Sequence, residues 1–420
     1  MISLRRIGSF VAGGVLAQGA AAVAGLLLAR WMSVEDYALY TVAITMAGAI
    51  TLLTRGGVRM GLAAQLSEHW PDRLAAGRAI ASSVQARLIV SALTMPPILI
   101  ASWLLLTQAG ASNLIAGVIV GILALTWLAD LQSGVIDQVL YFDGKAVPVQ
   151  NLDTTISFGR ALLVIALRLF NAVSVTAALL VNLVTAALRI PPIVKWVRRS
   201  VGGGGAKPAA ATTKSIRAVA IRQLPADLFN VFQSQAAIYY LTHLGDPKDL
   251  ATYGALARIA QLLAPVAAVS LAFFVPAFAQ TKDRTLLRLG AFVALAMLPG
   301  IGLIALSAVA PQSLLFFIGP SYADQAQALL VCAIAVSFAN TVQVASNLVS
   351  HRGWNRWAWL RIPMGLAWCV AAPFLLPLDT VEGGYMFFAG FSIWIAIALA
   401  IDLIAARRRG EIALLGKMEG

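Results

Sequence analysis

Leu28-Ala29-Arg30-Trp31-Met32-Ser33-Val34-Glu35-Asp36-Tyr37-Ala38-Leu39-Tyr40 closes one apolar run and opens the next. The passage returns 213 positions later as Leu241-Thr242-His243-Leu244-Gly245-Asp246-Pro247-Lys248-Asp249-Leu250-Ala251-Thr252-Tyr253. Leu28/Leu241, Asp36/Asp249, Ala38/Ala251 and Tyr40/Tyr253 are identities. Self-similarity at a fixed offset marks an internally duplicated chain. In both places a short polar joint separates two stretches long enough to be membrane helices, so the joint predicts two equivalent halves built of spans.

Working outward, apolar runs recur near 7–29, 37–54, 79–106, 112–140, 149–169, 172–194, 218–242, 252–279, 286–308, 324–349, 356–376 and 384–404. A helix crossing the hydrocarbon core needs roughly 20 such residues. Twelve spans leave only short connections and no room for a soluble domain. Composition agrees: 60% of the 420 residues are hydrophobic and 12% are charged, against roughly 25% charged in a soluble domain. A soluble enzyme, a disordered chain and a disulfide scaffold are excluded. The run behind Arg5 and Arg6 is too long for a signal-peptide core and reads as a retained first helix. Cys332 and Cys369 fall inside spans and form no metal or redox pattern, so no cofactor is expected.

The net charge of +13 invites a nucleic-acid reading until the basic residues are located. Only Arg30, Arg168 and Lys248 fall in the connections of one side, and Arg87, Arg160, Arg189 and Arg258 lie within spans. The other 24 of the 31 Lys and Arg residues sit on the opposite side or in the termini. That asymmetry is the positive-inside pattern of membrane proteins. It predicts an even number of spans with both termini cytoplasmic, and it removes nucleic acid as a partner. Trp31, Trp103, Tyr239 and Tyr240 near outer ends, and Trp196, Trp354, Trp357 and Trp359 near inner ends, read as interfacial belts.

The longest polar break carries Gly202-Gly203-Gly204-Gly205, Lys207-Pro208 and an Ala/Thr stretch. It lacks the Gly-Lys-Ser/Thr of a phosphate loop and reads as a linker. The expected organisation is an N-terminal six-helix lobe at 1–194, a basic cytoplasmic Gly-rich linker at 195–217, a C-terminal six-helix lobe at 218–406 and a tail at 407–420. Six being even, the lobes share one orientation and enclose a central cavity, an all-α architecture suited to alternating access.

Leu27 to Tyr40 resembles the first outer loop of bacterial polysaccharide and O-antigen flippases. Phe317-Ile318-Gly319-Pro320-Ser321-Tyr322-Ala323 is similar to that family's last-but-one outer loop, and Tyr253-Gly254-Ala255-Leu256-Ala257-Arg258 to the opening of its eighth helix. The family belongs to the multidrug/oligosaccharidyl-lipid/polysaccharide transporter superfamily. The resemblance implies a transporter of the bacterial inner membrane, not an enzyme. Its substrate would be a polyprenyl-diphosphate-linked oligosaccharide, moved from the inner to the outer leaflet for O-antigen, capsule or exopolysaccharide synthesis. Membrane lipids, and the polymerase and glycosyltransferases of that synthesis, would be its partners.

A diphosphate with a polar glycan crosses hydrocarbon only through a wet, cationic path, and arginine suits phosphate because its fork donates in pairs and stays charged. Charges inside spans face a cavity or a partner. Arg258 is the first candidate for substrate, since its repeat counterpart is Thr45 and the duplicated fold does not itself demand a charge there; pairing with a neighbour or snorkelling is the competing reading. Arg87, near Ser82, Ser83 and Gln85, lines an inner mouth or snorkels. Arg30 with Asp36 contacts substrate or frames an outer gate. Asp130 and Asp137, seven apart, share a helix face, with Gln132, Ser133 and Gln138 beside them. Asp153 and Arg160 repeat that spacing, and the four form a cavity-lining or purely packing ion network. Asp227, with Asn230 and Gln233, is the candidate for ion or proton coupling.

Two other classes compete. A cation-coupled multidrug antiporter of the same superfamily usually needs an acid in its first helix, and 7–29 has none. A glycan polymerase or glycosyltransferase needs a substantial outer loop with catalytic acids, and the loops here are short.

Overall fold

The computed structural model describes residues 4–202, 206–279 and 284–410. Gly203 to Gly205 of the glycine run, Lys282 and the tail residues 411–420 lie outside the described residues, as do the side chains of Arg5, Arg6 and Gln132.

Among the described residues every regular element is helical. The helices are α1 (Leu4–Trp31), α2 (Val34–His69), α3 (Arg73–Gln108), α4 (Asn113–Ile136), α5 (Gln138–Phe142), α6 (Ala146–Leu169), α7 (Val175–Ser200) and α8 (Ala210–Leu244). They continue with α9 (Pro247–Ala260), α10 (Ala264–Val269), α11 (Val275–Ala279), α12 (Thr285–Val309), α13 (Pro311–Ile318), α14 (Ala326–His351), α15 (Arg361–Leu375) and α16 (Val381–Arg408). Nine helices are long and apolar enough to cross a membrane among these residues. Twelve spans were expected, and three of the expected runs fall short for visible reasons. In α6 the charges Asp153, Arg160 and Arg168 dilute the hydropathy. In α8 Arg217, Arg222 and Asp227 do the same. The run 252–279 is broken into α9, a tight turn at Gln261–Leu263, α10, a π-helical turn at Ser270–Phe274 and α11. Large apolar side chains such as Leu114 (78% exposed), Phe170 (81%) and Phe374 (86%) face outward, as lipid contact requires.

The Leu28–Tyr40 joint is tight because Ser33 caps α2, its Oγ accepting from the Asp36 N–H at 3.1 Å. Its repeat partner Asp246 starts α9, and there the Asp246 N–H donates to the Asp249 carboxylate at 3.3 Å. Ser112, Ser174 and Thr380 cap α4, α7 and α16 in the same way. Each cap satisfies donors that a helix start leaves orphaned, which is why short loops suffice.

The polar stretch 55–78, expected as a connection, is helix for most of its length. Val58, Leu62 and Leu66 recur every fourth residue along α2 and pack with Ala76, Ala79, Ala86 and Val90 of α3 and with Val135 and Val139. That stripe extends α2 and α3 to 36 residues each. Within 195–217, residues 195–200 complete α7 and 210–217 open α8.

Contacts divide the chain into Met1–Gln235 and Ala236–Gly420. In the first unit α1 packs on α6, α2 on α3, and α4 on α7. The amino-terminal part of α8 lies close along α2: a Cβ on Gly57 would stand 2.7 Å from Ala220 Cα, and one on Gly61 3.0 Å from Ile216 Cα. Small residues let membrane helices approach this closely. In the second unit α14 packs on α12 and α16, and α15 on α16.

Candidate functional site

The polar residues of the first unit converge on the far end of α4. Asp130 and Asp137 stand on one side of it, and Asp137, at the junction with α5, is 1% exposed. Three arginines reach its carboxylate: Arg189 of α7 at 3.0 Å, Arg55 of α2 at 3.6 Å and Arg59 of α2 at 4.0 Å. Arg189 also grips Asp153 of α6, Nε to Oδ1 at 2.7 Å, and its Nη1 donates to the Ser133 carbonyl at 3.4 Å. Arg59 donates from Nε to Gln138 Oε1 at 2.7 Å and lies 5.7 Å from the Tyr141 ring centre. Two carboxylates therefore serve three guanidiniums, and the cluster keeps a positive surplus. Side-chain exposure rises from Asp137 through Arg189 (17%) and Arg55 (23%) to Arg59 (36%). The tightly held arginine is innermost and the loosely held ones are the most accessible.

Arg87 forms a second, closed cluster. Its side chain is wholly buried; Nη2 meets Asp130 Oδ2 at 2.8 Å, and Nη1 donates to the carbonyls of Asp130 at 2.6 Å and Leu131 at 2.8 Å. Thr54 Oγ1 accepts at 3.4 Å. A side chain on Gly134 would collide with the Asp130 carboxylate, so glycine one turn on lets the acid fold along α4. A buried guanidinium is tolerable only when paired and hydrogen-bonded, and here nearly every donor is used. The neighbouring polar residues tie down the start of α8: Ser82 Oγ accepts from the Ala209 N–H at 3.0 Å, and Thr213 donates to Gln85 at 3.0 Å.

The four residues expected to form one network thus divide. Asp137 and Asp153 meet through Arg189, Asp130 belongs to Arg87, and Arg160 donates to Thr185 Oγ1 at 3.3 Å, one turn before Arg189 on α7. Asp227 is buried (4% exposed) against α2: Gln223 donates to it at 3.1 Å, and a Cβ on Gly56 would stand 2.8 Å from its Oδ2. Asn230 is exposed and Gln233 half-buried. Arg30 is half-buried in the last turn of α1. Arg258 is half-buried in the last turn of α9, in the second unit, where a cation suits a helix C-terminus. Among the described residues no group of His, Cys, Asp and Glu is arranged to hold a metal ion.

The sequence places Arg55 and Arg59 in a connection, although their i, i+4 spacing continues the Val58–Leu62–Leu66 stripe. It places Arg189 among the span charges without naming its partners, which only the packing of α4, α6 and α7 supplies.

Outside the spans, Asp143 anchors the joint between α5 and α6. Lys145 Nζ lies 2.6 Å from it, and Ser200 Oγ donates to it at 2.6 Å. Burial works against ionisation, yet those two hydrogen bonds outweigh it and hold the Asp143 carboxyl below its ordinary 3.8.

No protein-family profile matches the chain, and no curated protein matches it by sequence. Solved structures do match its fold. The lipid II flippase MurJ, in an inward closed conformation, superposes with a TM-score of 0.72 at 11% identity, covering 95% of this chain and 87% of that one. An inward-facing MATE-family multidrug resistance transporter of the MOP superfamily gives 0.63 at 15% identity, with 93% and 94% covered. The eukaryotic MATE transporter AtDTX14 gives 0.59 at 13%, with 97% and 99% covered. The chain therefore has the fold of MOP-type membrane transporters, and with its apolar helices it is a multi-pass membrane protein.

Proposed function

We propose that this chain is a flippase that moves a polyprenyl-diphosphate-linked oligosaccharide from the inner to the outer leaflet of a bacterial inner membrane by alternating access, in the service of surface polysaccharide synthesis. The observation that carries the reading is the positive surplus around Asp137, whose carboxylate Arg55 and Arg59 approach only to 3.6 and 4.0 Å. A diphosphate offers these two guanidiniums closer and more numerous acceptors than a carboxylate whose Oδ2 is already taken by Arg189. The glycan needs only a wet path, and the prenyl tail stays in lipid. Arg30 in the first unit and Arg258 in the second are further candidate cations for the diphosphate, while Arg87 with Asp130 holds α3 to α4. No step in this reading makes or breaks a covalent bond.

The fold match to MurJ supports the substrate class, and the matches to MATE transporters keep a second reading in play. Asp227, a buried carboxylate partnered by Gln223, favours a cation-coupled multidrug antiporter. The net-positive cluster argues against it, because it repels a cationic drug.

The test is to delete the gene and follow lipid-linked glycan across the membrane. Accumulation on the inner leaflet, reversed by the wild-type chain, is expected. Arg55→Gln/Arg59→Gln and, separately, Arg258→Ala should lower export by about tenfold or more at normal membrane abundance, given roughly 1.5–3 kcal/mol for each hydrogen bond to a charged group. Unchanged surface glycan with altered drug resistance overturns the flippase reading. Full export by both variants overturns the site.

A further inference from the structure

At one end of the second unit, far along the chain from the Asp137 cluster, the sequence Asn355-Arg356-Trp357-Ala358-Trp359 joins α14 to α15. Three features fix its shape. Gly353 turns the chain out of α14 at φ +74°, a conformation that favours glycine. Trp354 is buried edge-on against Phe278, with ring centres 6.1 Å apart. The Trp357 N–H donates to Asp402 Oδ1 of α16 at 2.8 Å. Asp402 is 4% exposed, and this buried carboxylate inside an apolar helix restrains the loop amide while also interacting with Arg409.

The consequence is a recess of about 380 Å³ lined, among the described residues, by Arg356, Trp357, Trp359, Ala405, Arg408 and Arg409, with Asp402 behind it close enough to act on Arg409. The two indoles lie 6.3 Å apart and are 41% and 57% exposed. The carboxy-terminal turn of α16 adds Arg408, and Arg409 caps that helix. The recess lies where three apolar helices end together: α14 and α16 at their carboxyl ends and α15 at its amino end. That is the level of the lipid headgroups.

We propose that this recess is a binding site for the phosphodiester headgroup of an anionic phospholipid. Guanidiniums at a span end attract anionic headgroups and donate in pairs to phosphate oxygens. Indoles belong at the same level, with an apolar face toward the acyl chains and an N–H toward the headgroup. Free phosphate has no use for two exposed indoles, and a zwitterionic headgroup carries its own cation into an arginine cluster. The arrangement therefore selects an anionic lipid.

The full-length protein in detergent, titrated with dioleoylphosphatidylglycerol or dioleoylphosphatidylcholine and read by native mass spectrometry, tests this. The wild type should hold one phosphatidylglycerol about tenfold or more tightly than phosphatidylcholine. Arg356→Gln/Arg408→Gln/Arg409→Gln should abolish the preference, and Arg198→Gln/Arg199→Gln, a basic pair at the end of α7, should keep it. A brominated phosphatidylglycerol should quench tryptophan fluorescence more than its phosphatidylcholine counterpart, and Trp357→Phe/Trp359→Phe should remove that difference. The quenching experiment decides the matter if the triple variant fails to fold. An unchanged preference in the arginine variant, an unchanged quenching difference in the tryptophan variant, or displacement of the lipid by millimolar inorganic phosphate overturns the proposal.

Discussion

In the first unit Asp137 draws arginines from two helices, and Arg87 is wholly buried among carbonyls and a carboxylate. In the second unit the corresponding work is done by rings and glycines. Tyr253 stacks on Tyr385 at 4.5 Å, and the Tyr385 hydroxyl donates to the Tyr253 carbonyl at 2.8 Å. Trp368 donates to the Phe387 carbonyl at 3.0 Å and lies so close over Gly390 that a side chain there would collide with the indole. Tyr240 packs edge-on against Phe387 at 5.4 Å. Both are workable ways to join membrane helices, since hydrocarbon supplies no hydrophobic drive between them and packing, hydrogen bonds or ion pairs must do it. The charged solution leaves groups of the kind the proposed anionic substrate would use. The two units are similar in sequence at their first joints, yet they join their helices by different means.

The contrast breaks most visibly at Asp137. Asp137→Ala takes the shared carboxylate from three guanidiniums, of which Arg189 keeps Asp153 and Arg59 keeps Gln138, and should destabilise the first unit by about 3 kcal/mol, the low end for breaking a buried ion pair. The check is a lowered melting temperature in detergent. A melt equal to wild type would mean that the cluster is solvated and not a packing element. Next in size, Gly390→Val forces a side chain into Trp368 and should cost about 1–3 kcal/mol without touching any charge. Tyr385→Phe removes a hydroxyl that donates to the Tyr253 carbonyl and also meets Cys332 but keeps the ring stack, so a loss of about 1–2 kcal/mol is expected. These two should leave the glycan-export phenotype near wild type, in contrast to Arg55→Gln/Arg59→Gln. The smallest effect belongs to Asp143. Its folded pKa lies below 3.8, so its contribution is complete above the unfolded value and fades as pH falls below it through the folded one. Asp143→Asn should therefore lower the melting temperature slightly near pH 7 to 8 and converge on the wild type in acid, so that its acid limb is flatter; the loss is small because the pair is partly exposed.

Much of the fold was legible because its causes are local. The recurrence of apolar helices and the joint at Leu28–Tyr40 with its echo follow from residues within a few positions of one another. The extent of α2 was not read, although Val58, Leu62 and Leu66 carried the signal, because Arg55 and Arg59 looked like the start of a connection. The candidate site was legible in part. Seven-residue spacing placed Asp130 and Asp137 on one face of α4 but named no partner. Arg87 chose Asp130, Arg189 chose Asp137 and Asp153, and Arg160 went to Thr185.

Residues close along the chain are enough to put it in a membrane, to make it of helices joined by short turns, and to echo its first joint in its second half. Hydropathy and repetition are properties of the linear sequence. Packing between helices settles that Arg87 is buried among its acceptors, that Arg55 and Arg59 stay 3.6 and 4.0 Å from Asp137, and which loop amide a carboxylate inside α16 restrains. Those outcomes depend on which helix faces which, and a charge inside a span settles with whatever acceptor the packing brings within about 4 Å, however distant that acceptor is in sequence.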